Sequence, residues 1–313
     1  MATAVPNPTS PETAPTQTYS WQNYRCAYAV HRRDSSQGQP LVLIHPIGVG
    51  LSRHFWQRFC DEWQHQGQTN PLYAPDLLGC GESDMPRIAY RPEDWAQQLQ
   101  AFIDRVIQEP VIVVVQGALF PVALRLAQQA PEQVAGLVLS GPPAWGVMTR
   151  EAKPRQNQLL WNLFFDTPLG WGFYRYARRE AFLRSFSQDK LFAEADDVDA
   201  NWLDTLQQGA ADLASRHAVF SFLAGFWRQD YGPDIRQLQQ PVKVLFGEGA
   251  SGISRRGKND PASKRLDDYL SQLPNAEGTL IPGRNVMPYE EPEAFVRETA
   301  AFVQRVAQNH SSS

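Results

Sequence analysis

Seven short apolar runs, separated by amphipathic stretches, constrain the fold of this chain more than any other feature of its sequence. The runs have the length and the Val, Ile and Leu content of strands, and they lie at residues 25–31, 41–45, 72–75, 111–115, 136–140, 242–246 and 278–281. Helical spacing of apolar residues fills intervals at residues 55–66, 92–108, 121–129, 262–273 and 293–307. This alternation is typical of β-α-β units, so we predict an α/β fold with a mostly parallel central sheet flanked by helices.

One long interval, residues 142–234, has no strand-like run and is rich in aromatic residues on helix-like spacing. We predict that it forms a helical cap over the sheet, and that most of its aromatic side chains serve packing. The core is then divided into residues 19–141 and residues 235–308. Residues 1–18 are rich in Pro, Thr, Ser and Ala and are predicted to be a disordered tail, and residues 309–313 a second loose end.

The composition is that of an ordinary globular protein, with 313 residues, 42% hydrophobic and 20% charged. A net charge of −4 does not indicate the basic surface that nucleic-acid binding needs. No apolar run approaches the roughly 18 residues of a transmembrane segment. Cys26, Cys60 and Cys80 lack metal-ligand spacing and suit a reducing compartment, and residues 1–18 lack the pattern of a secretory signal. We therefore expect a soluble cytoplasmic protein with no metal and no cofactor.

Several linked motifs carry a resemblance to a known family. In chain order they are His45-Pro46-Ile47-Gly48, the glycine-containing stretch 76–84 (DLLGCGESD), the stretch 130–134 (APEQV), Phe246-Gly247-Glu248, and Pro282-Gly283 followed by Glu290-Glu291-Pro292. Together they resemble the α/β-hydrolase superfamily, in its lidded esterase, lipase and C–C hydrolase branch, over roughly residues 20–308. The resemblance implies a nucleophile after one strand, an acid after a later strand and a histidine after the last strand.

The nucleophile position falls in the stretch 115–119 (VQGAL), between an apolar strand and a helix. The resemblance places the family's serine on Gly117, and a shift of one residue places it on Ala118. Neither side chain has a heteroatom that could attack a carbonyl. Glycine enters the strained backbone of such an elbow freely, so we predict that Gly117 keeps the shape of the turn without its chemistry.

The acid and base positions are also occupied by apolar residues. The resemblance places the acid on Ala250 and the histidine on Val286, and neither side chain transfers a proton. Asp260 reaches the acid position only if residues 249–259 are read as an insertion. The triad-equivalent positions are therefore predicted to be Gly117, Ala250 and Val286, with no catalytic residue among them.

His45 lies in the loop that, in this family, supplies a backbone N–H to the oxyanion hole. Pro46 removes one such donor, whereas Ile47 retains its own. We interpret His45 as a histidine that fixes the loop, with a role as a displaced base as the less favoured alternative. The side chains predicted to line a pocket are His45, Pro46, Ile47, Gln116, Ala118 and Asn285.

These positions indicate a protein of the α/β-hydrolase fold that binds an apolar small molecule or a protein partner without catalysis. The alternative is an esterase-like hydrolase with a relocated site, for which the candidates are His45, His54, Gln116, Asp260, Arg284, Asn285 and Tyr289. No nucleic-acid partner and no transmembrane segment are expected.

Overall fold

The computed structural model describes residues 14–32, 36–151, 153–252 and 260–311. Its centre is an eight-stranded sheet in the order β1-β2-β4-β3-β5-β6-β7-β8. The strands are β1 (Thr16–Trp21), β2 (Tyr24–His31), β3 (Leu41–Ile44), β4 (Leu72–Pro75), β5 (Val111–Gln116), β6 (Val134–Ser140), β7 (Val242–Gly247) and β8 (Ala276–Ile281). β1 and β2 pair antiparallel, β2 pairs antiparallel with β4, and every other pairing is parallel. The predicted α/β fold with a mostly parallel sheet is confirmed.

Strands β2 to β8 match the seven predicted runs to within two residues at each end. β1 is a strand that the apolar pattern did not predict, and its first residues, Thr16 to Thr18, were placed in the disordered tail. The prediction failed there because most of the β1 side chains are exposed and polar, so that the strand is held by its backbone pairing with β2. Residues 1–13 lie outside the described residues.

Helices cover both faces of the sheet. They are α1 (Gln57–His65), α2 (Pro92–Phe102) and α3 (Phe120–Gln129) in the first part of the core, and α11 (Ala262–Leu270), α12 (Met287–Glu290) and α13 (Pro292–Ser311) in the second. α13 continues to Ser311, so the boundary predicted at residue 308 was too early. Short 3-10 segments at Arg53–Trp56 and Gly117–Leu119 precede α1 and α3, and a π-helical turn, Ile103–Ile107, extends α2.

The core consists of two apolar clusters, one on each face of the sheet. Along β5, Val111, Val113 and Val115 belong to the cluster that includes α2, α3 and α11, whereas Ile112 and Val114 belong to the cluster that includes α1 and α13. Since successive side chains of a strand point to opposite faces, this continuous apolar run is what a central strand covered on both sides requires.

The described residues between β6 and β7 form seven α-helices: α4 (Trp145–Met148), α5 (Pro154–Leu160), α6 (Pro168–Ala177), α7 (Glu180–Lys190), α8 (Ala200–Gly209), α9 (Arg216–Ala224) and α10 (Gly232–Arg236). We call residues 142–234 the cap segment. An isolated bridge between Thr149 and Asp230 joins its two ends. Its own apolar cluster includes Trp161, Tyr174 and Phe220, and Val49 from the loop after β3 packs against that cluster. The cap segment therefore lies next to the carboxyl end of β3.

Candidate functional site

Three loops that follow β5, β7 and β8 contact one another at the carboxyl edge of the sheet. The side-chain amide of Gln116, at the end of β5, donates to the carbonyl oxygen of Asn285 at 2.7 Å. The backbone N–H of Gly249 donates to the carbonyl oxygen of Gly283 at 3.0 Å. The structure therefore brings together the loops that carry Gly117, Ala250 and Val286, as parallel strands require.

Gly117 begins the tight turn between β5 and α3. Its φ is +62°, in the left-handed region that glycine enters without the cost a side chain imposes. A Cβ atom built on Gly117 would meet no atom within 4 Å beyond its own turn and its chain neighbours. The turn thus has the predicted strained shape, and the space directly above it is open.

Ala250 and Val286 are both buried, at 8% and 3% exposure. They pack into different apolar clusters, Ala250 into the one that includes α2 and α3, and Val286 into the one that includes α1 and α13. The two residues thus lie on adjoining loops, and their side chains are buried in the apolar core. That they correspond to the family's acid and base stays a prediction.

The loop after β8 is held by the half-buried carboxylate of Glu290. Its oxygens accept from the backbone N–H groups of Ala193 at 2.6 Å, Arg284 at 3.0 Å and Val286 at 3.3 Å. Burial raises the pKa of Glu290, and these three hydrogen bonds act in the opposite direction. Glu290 thereby fixes the backbone of Val286 and joins it to the cap segment.

Asn285 and Arg284 tie the same loop to the cap segment and to the loop after β7. The Asn285 amide donates to the carbonyl oxygens of Lys190 at 2.7 Å and Ser251 at 3.1 Å. The Arg284 guanidinium donates to the Ser251 hydroxyl at 2.7 Å and to the carbonyl oxygen of Phe192 at 3.2 Å. Asn285, predicted to line a pocket, therefore uses its amide as a tether. The sequence did not predict a role for Ser251, because no local motif identifies a serine whose partner, Arg284, lies 33 residues away.

Gln116 joins two strand ends in addition to its contact with Asn285. Its side-chain oxygen accepts from the buried hydroxyl of Ser140, at the end of β6, at 2.6 Å. Both polar ends of this buried side chain are occupied. Gln116 thus serves as a cross-link beneath the elbow. Ser140, which the sequence did not single out, is held in the same network.

His45 has a partner for each ring nitrogen. Nε2 accepts from the backbone N–H of Leu77 at 3.1 Å, and Nδ1 lies 2.8 Å from the carbonyl oxygen of Pro46. This pattern fits a neutral ring that is protonated on Nδ1. Complete burial lowers the pKa of His45. The geometry favours the interpretation of His45 as a loop-fixing residue. Ile47, in the same loop, and Ala118, in the turn after β5, are half-buried.

The other candidates for a relocated site have partners elsewhere. His54 lies 3.8 Å from the carboxylate of Glu82. The Tyr289 hydroxyl donates to Asp199 at 3.0 Å. The carbonyl oxygen of Asp260 accepts from Arg265 at 3.1 Å. Most of the insertion that would carry Asp260 to the acid position, residues 253–259, lies outside the described residues.

A buried ion pair fixes the loop that carries the stretch 76–84. Asp76 accepts from the guanidinium of Arg53, from the backbone N–H of Arg53 at 2.8 Å and from that of Glu82 at 2.9 Å. The Arg53 guanidinium also contacts Glu82 at 2.5 Å. Because both members of the pair are buried and well hydrogen-bonded, this motif has a structural role.

Comparison with known proteins identifies the family. The model of the Alpha/beta hydrolase family matches residues 41–298, and the chain belongs to that family. A haloalkane dehalogenase of Mesorhizobium japonicum is 32% identical over 102 residues, which cover 33% of this chain and 31% of the relative. A 2-hydroxymuconate semialdehyde hydrolase of Pseudomonas sp. strain CF600 is 32% identical over 109 residues, which cover 34% and 38%. The chain thus spans about a third of the length of these curated relatives.

Solved structures share the fold over nearly the whole chain. A thermophilic esterase from Thermogutta terrifontis superposes with a TM-score of 0.69 at 18% identity, covering 94% of this chain and all of the other. A bromoperoxidase from Bacillus anthracis gives a TM-score of 0.70 at 16% identity, with 93% of this chain covered. At these identities the likeness concerns the fold alone. Within the residues that the structure describes, none of the helices combines the length and the apolar character needed to cross a membrane.

Proposed function

We propose that this protein binds an apolar ligand, a small molecule or an apolar segment of a partner protein, and performs no hydrolysis. The observation that carries the proposal is the chemistry of Gly117, Ala250 and Val286, whose side chains contain no nitrogen, oxygen or sulfur. A nucleophile must carry a lone pair, and a general base must accept a proton. The alpha/beta hydrolase frame then serves as a binding scaffold.

The expected loss of rate is large. Removing any member of a working triad typically leaves only about 10³–10⁴-fold acceleration over water, from binding and the oxyanion hole. His45 does not replace the missing base in this account, because both of its nitrogens are already engaged with backbone groups. Protonating its Nε2 would also break the bond from Leu77.

Binding is supported by the space above the elbow. No atom lies within 4 Å of a Cβ built on Gly117, and the neighbouring Ala118 and Ile47 are half-buried apolar residues. Open space beside half-buried apolar residues favours an apolar ligand that is oriented by few polar groups. The backbone N–H of Ile47 is one such group in the loop after β3.

Filling this space tests the proposal. We expect the purified protein to bind an environment-sensitive apolar fluorophore, and Gly117→Leu to weaken that binding at least about tenfold, which is the effect of losing roughly 1.4 kcal/mol. Gly67→Leu is the matched control. Gly67 also has a positive φ, +74°, and open space around its Cβ, but it is exposed in the turn after α1. Equal binding by the two variants would refute a site above the elbow.

The names of the relatives favour a second candidate, a hydrolase with a relocated site. The matched relatives are named as a haloalkane dehalogenase and a semialdehyde hydrolase. His54, whose side chain is about a third exposed, is the residue that this candidate needs most, since His45 is fully engaged. The hydrolase predicts ester turnover that His54→Gln abolishes, whereas the binding proposal predicts no turnover to abolish.

A further inference from the structure

One contact between the cap segment and the core is made by two glycine backbones. Gly50 lies in the loop after β3, and Gly209 lies in the last turn of α8. A Cβ atom built on Gly209 would overlap the carbonyl oxygen of Gly50, and one built on Gly50 would overlap that of Leu206. No side-chain atom fits between the two backbones. We call this contact between Gly50 and the end of α8 the cap seat.

The loop that carries Gly50 is held firmly on the core. At its start, the His45 ring accepts from a backbone N–H of the loop after β4 at 3.1 Å. Shortly after Gly50, Arg53 forms the buried ion pair with Asp76 and donates its backbone N–H to the same carboxylate at 2.8 Å. The core side of the cap seat is therefore anchored at both ends.

The same loop leaves the sheet beside the elbow. Its strand ends at Ile44, which pairs with Val115, two residues before Gly117. The loop after β3 and the elbow after β5 therefore lie next to each other at the carboxyl edge of the sheet. Val49, one residue before Gly50, packs against both a core cluster and the apolar cluster of the cap segment. The cap seat thus joins the border of the candidate site to the cap segment.

The cap segment bridges the strand ends on both sides of the elbow. The sheet order places β5 between β3 on one side and β6, β7 and β8 on the other. The cap segment contacts the loop after β3 at Gly50 and the loop after β8 at Asn285, whose amide donates to the carbonyl oxygen of Lys190. It therefore crosses above the elbow at Gly117.

The cap side of the seat leads directly into the body of the cap segment. The Arg178 guanidinium donates to the carbonyl oxygens of the two residues that follow Gly209, at 3.0 Å each. The hydroxyl of Ser215 lies 2.7 Å from that of Tyr174, in α6. A displacement of the end of α8 is therefore passed on to α6, whereas the anchored loop after β3 stays in place.

We propose that the cap seat sets the height of the cap segment above the elbow, and so limits the length of the apolar ligand that the protein accepts. This rests on the proposed function, because it concerns the same binding space. Two backbones in contact cannot approach further, and a side chain at position 209 can only hold them apart. A methyl group there needs roughly 1 Å more room to restore an ordinary C···O contact of about 3.3 Å. That lift is comparable to one C–C bond, and hence to one further methylene of ligand.

The test is fluorescence titration with dansylamides whose linear alkyl chains grow by one methylene, from hexyl to tetradecyl. In the unaltered protein, affinity should rise about fourfold for each methylene buried and then stop rising at one chain length. Gly209→Ala should move that limit to a longer chain, so that the first probe beyond it binds about fourfold more tightly. Gly172→Ala is the matched control, because it makes the same change in α6, where a Cβ meets no atom within 4 Å beyond its own helix. It should leave the limit where it is.

Hydrogen exchange measured by mass spectrometry tests the cap seat without a ligand. Peptides that cover the end of α8 and residues 210–215 should exchange faster in Gly209→Ala than in the unaltered protein or in Gly172→Ala. Alanine is a better helix former than glycine, so a weaker helix would not explain the faster exchange. Thermal midpoints check that both variants are folded.

The possible failures are distinguishable. If the unaltered protein bound no probe, the proposed function would be refuted and the length limit with it. An affinity that keeps rising through the whole series, which is measured without any variant, would refute the limit alone. Unchanged exchange in Gly209→Ala would refute the cap seat, and faster exchange with an unmoved limit would refute its control of ligand length.

Discussion

Replacing Gly117 by alanine isolates the backbone cost of the elbow. Because a Cβ at this position meets no atom within 4 Å, the substitution adds no steric clash. What remains is the cost of holding alanine at a φ of +62°, about 1–2 kcal/mol. Alanine also restricts the unfolded chain, which offsets about 0.4–1 kcal/mol of that cost.

Two further glycines allow the two effects to be separated. A Cβ on Gly146, in α4, also meets no atom within 4 Å, and Gly146 is not among the glycines with positive φ. Gly146→Ala should therefore be stabilised by the restriction of the unfolded chain, without the cost of a strained backbone in the folded protein. Gly67→Ala, at a φ of +74° and with open space, carries both effects. We expect Gly117→Ala and Gly67→Ala to be similar, and each to be less stable than Gly146→Ala by about 1–2 kcal/mol.

The assay is urea unfolding followed by far-UV circular dichroism, with the free energy of unfolding compared at a common slope. The difference between variants is the quantity of interest, since the unfolded-state contribution largely cancels in it. If Gly117→Ala were as stable as Gly146→Ala, the elbow would not hold a strained backbone and the reason given for its glycine would be refuted.

Other expected outcomes concern the buried groups around the site. Asp76→Ala should lower the free energy of unfolding by about 3–5 kcal/mol in the same urea assay, because it leaves the Arg53 guanidinium buried without its main partner. Burial lowers the pKa of His217 to about 4 from its ordinary 6.5. Between these values the unfolded chain holds the extra proton, so His217 should contribute a fall in stability of up to about 2 kcal/mol from pH 7 to pH 5. Burial also lowers the pKa values of His31, His45 and His54, so His217→Gln should reduce the slope by its own share and leave the rest. Asn285→Ala removes two hydrogen bonds between loops and should speed cleavage by trypsin after Lys190, measured by limited proteolysis.

Each of these predictions has a control variant, in which a residue of the same type is replaced at a more exposed position. Asp84→Ala breaks the exposed pair with Arg25 and should cost less than about 1 kcal/mol. His65→Gln replaces an exposed histidine and should change the free energy of unfolding at pH 7 by less than about 0.5 kcal/mol. Asn275→Ala removes a surface hydrogen bond to Gln239 and should leave the trypsin cleavage rate after Lys190 unchanged. A control with the effect of its partner would contradict the corresponding argument.

The sheet could be predicted because a strand buried on both faces has a plain signature. Val111 to Val115 are apolar at every position, and both clusters use them. β1 has no such signature, since its residues are mostly exposed and its place depends on pairing with β2. A strand of this kind becomes visible only when its partner is known.

The sequence predicted which loops form the candidate site, but not the hydrogen bonds that join those loops. Turn geometry at Gly117 follows from local chemistry, so its positive φ was foreseeable. Asn285 and Arg284 bind carbonyl groups of the cap segment that lie more than 90 residues earlier in the sequence. These contacts depend on how the cap segment packs against the loop after β8. The sequence carries no local signal for these contacts. The tethering role of Asn285 and the role of Ser251 were therefore missed, while the prediction that Asn285 lines a pocket stays a prediction.

The most direct test of the central claim is the rate of hydrolysis of a short-chain nitrophenyl ester by the pure protein at high concentration. We predict a rate equal to that of Gly117→Leu and not above the background of buffer with an inert protein. Turnover that rises in proportion to protein concentration, and that His54→Gln or His45→Gln removes while leaving the fold intact, would contradict the account and establish a hydrolase with a relocated site.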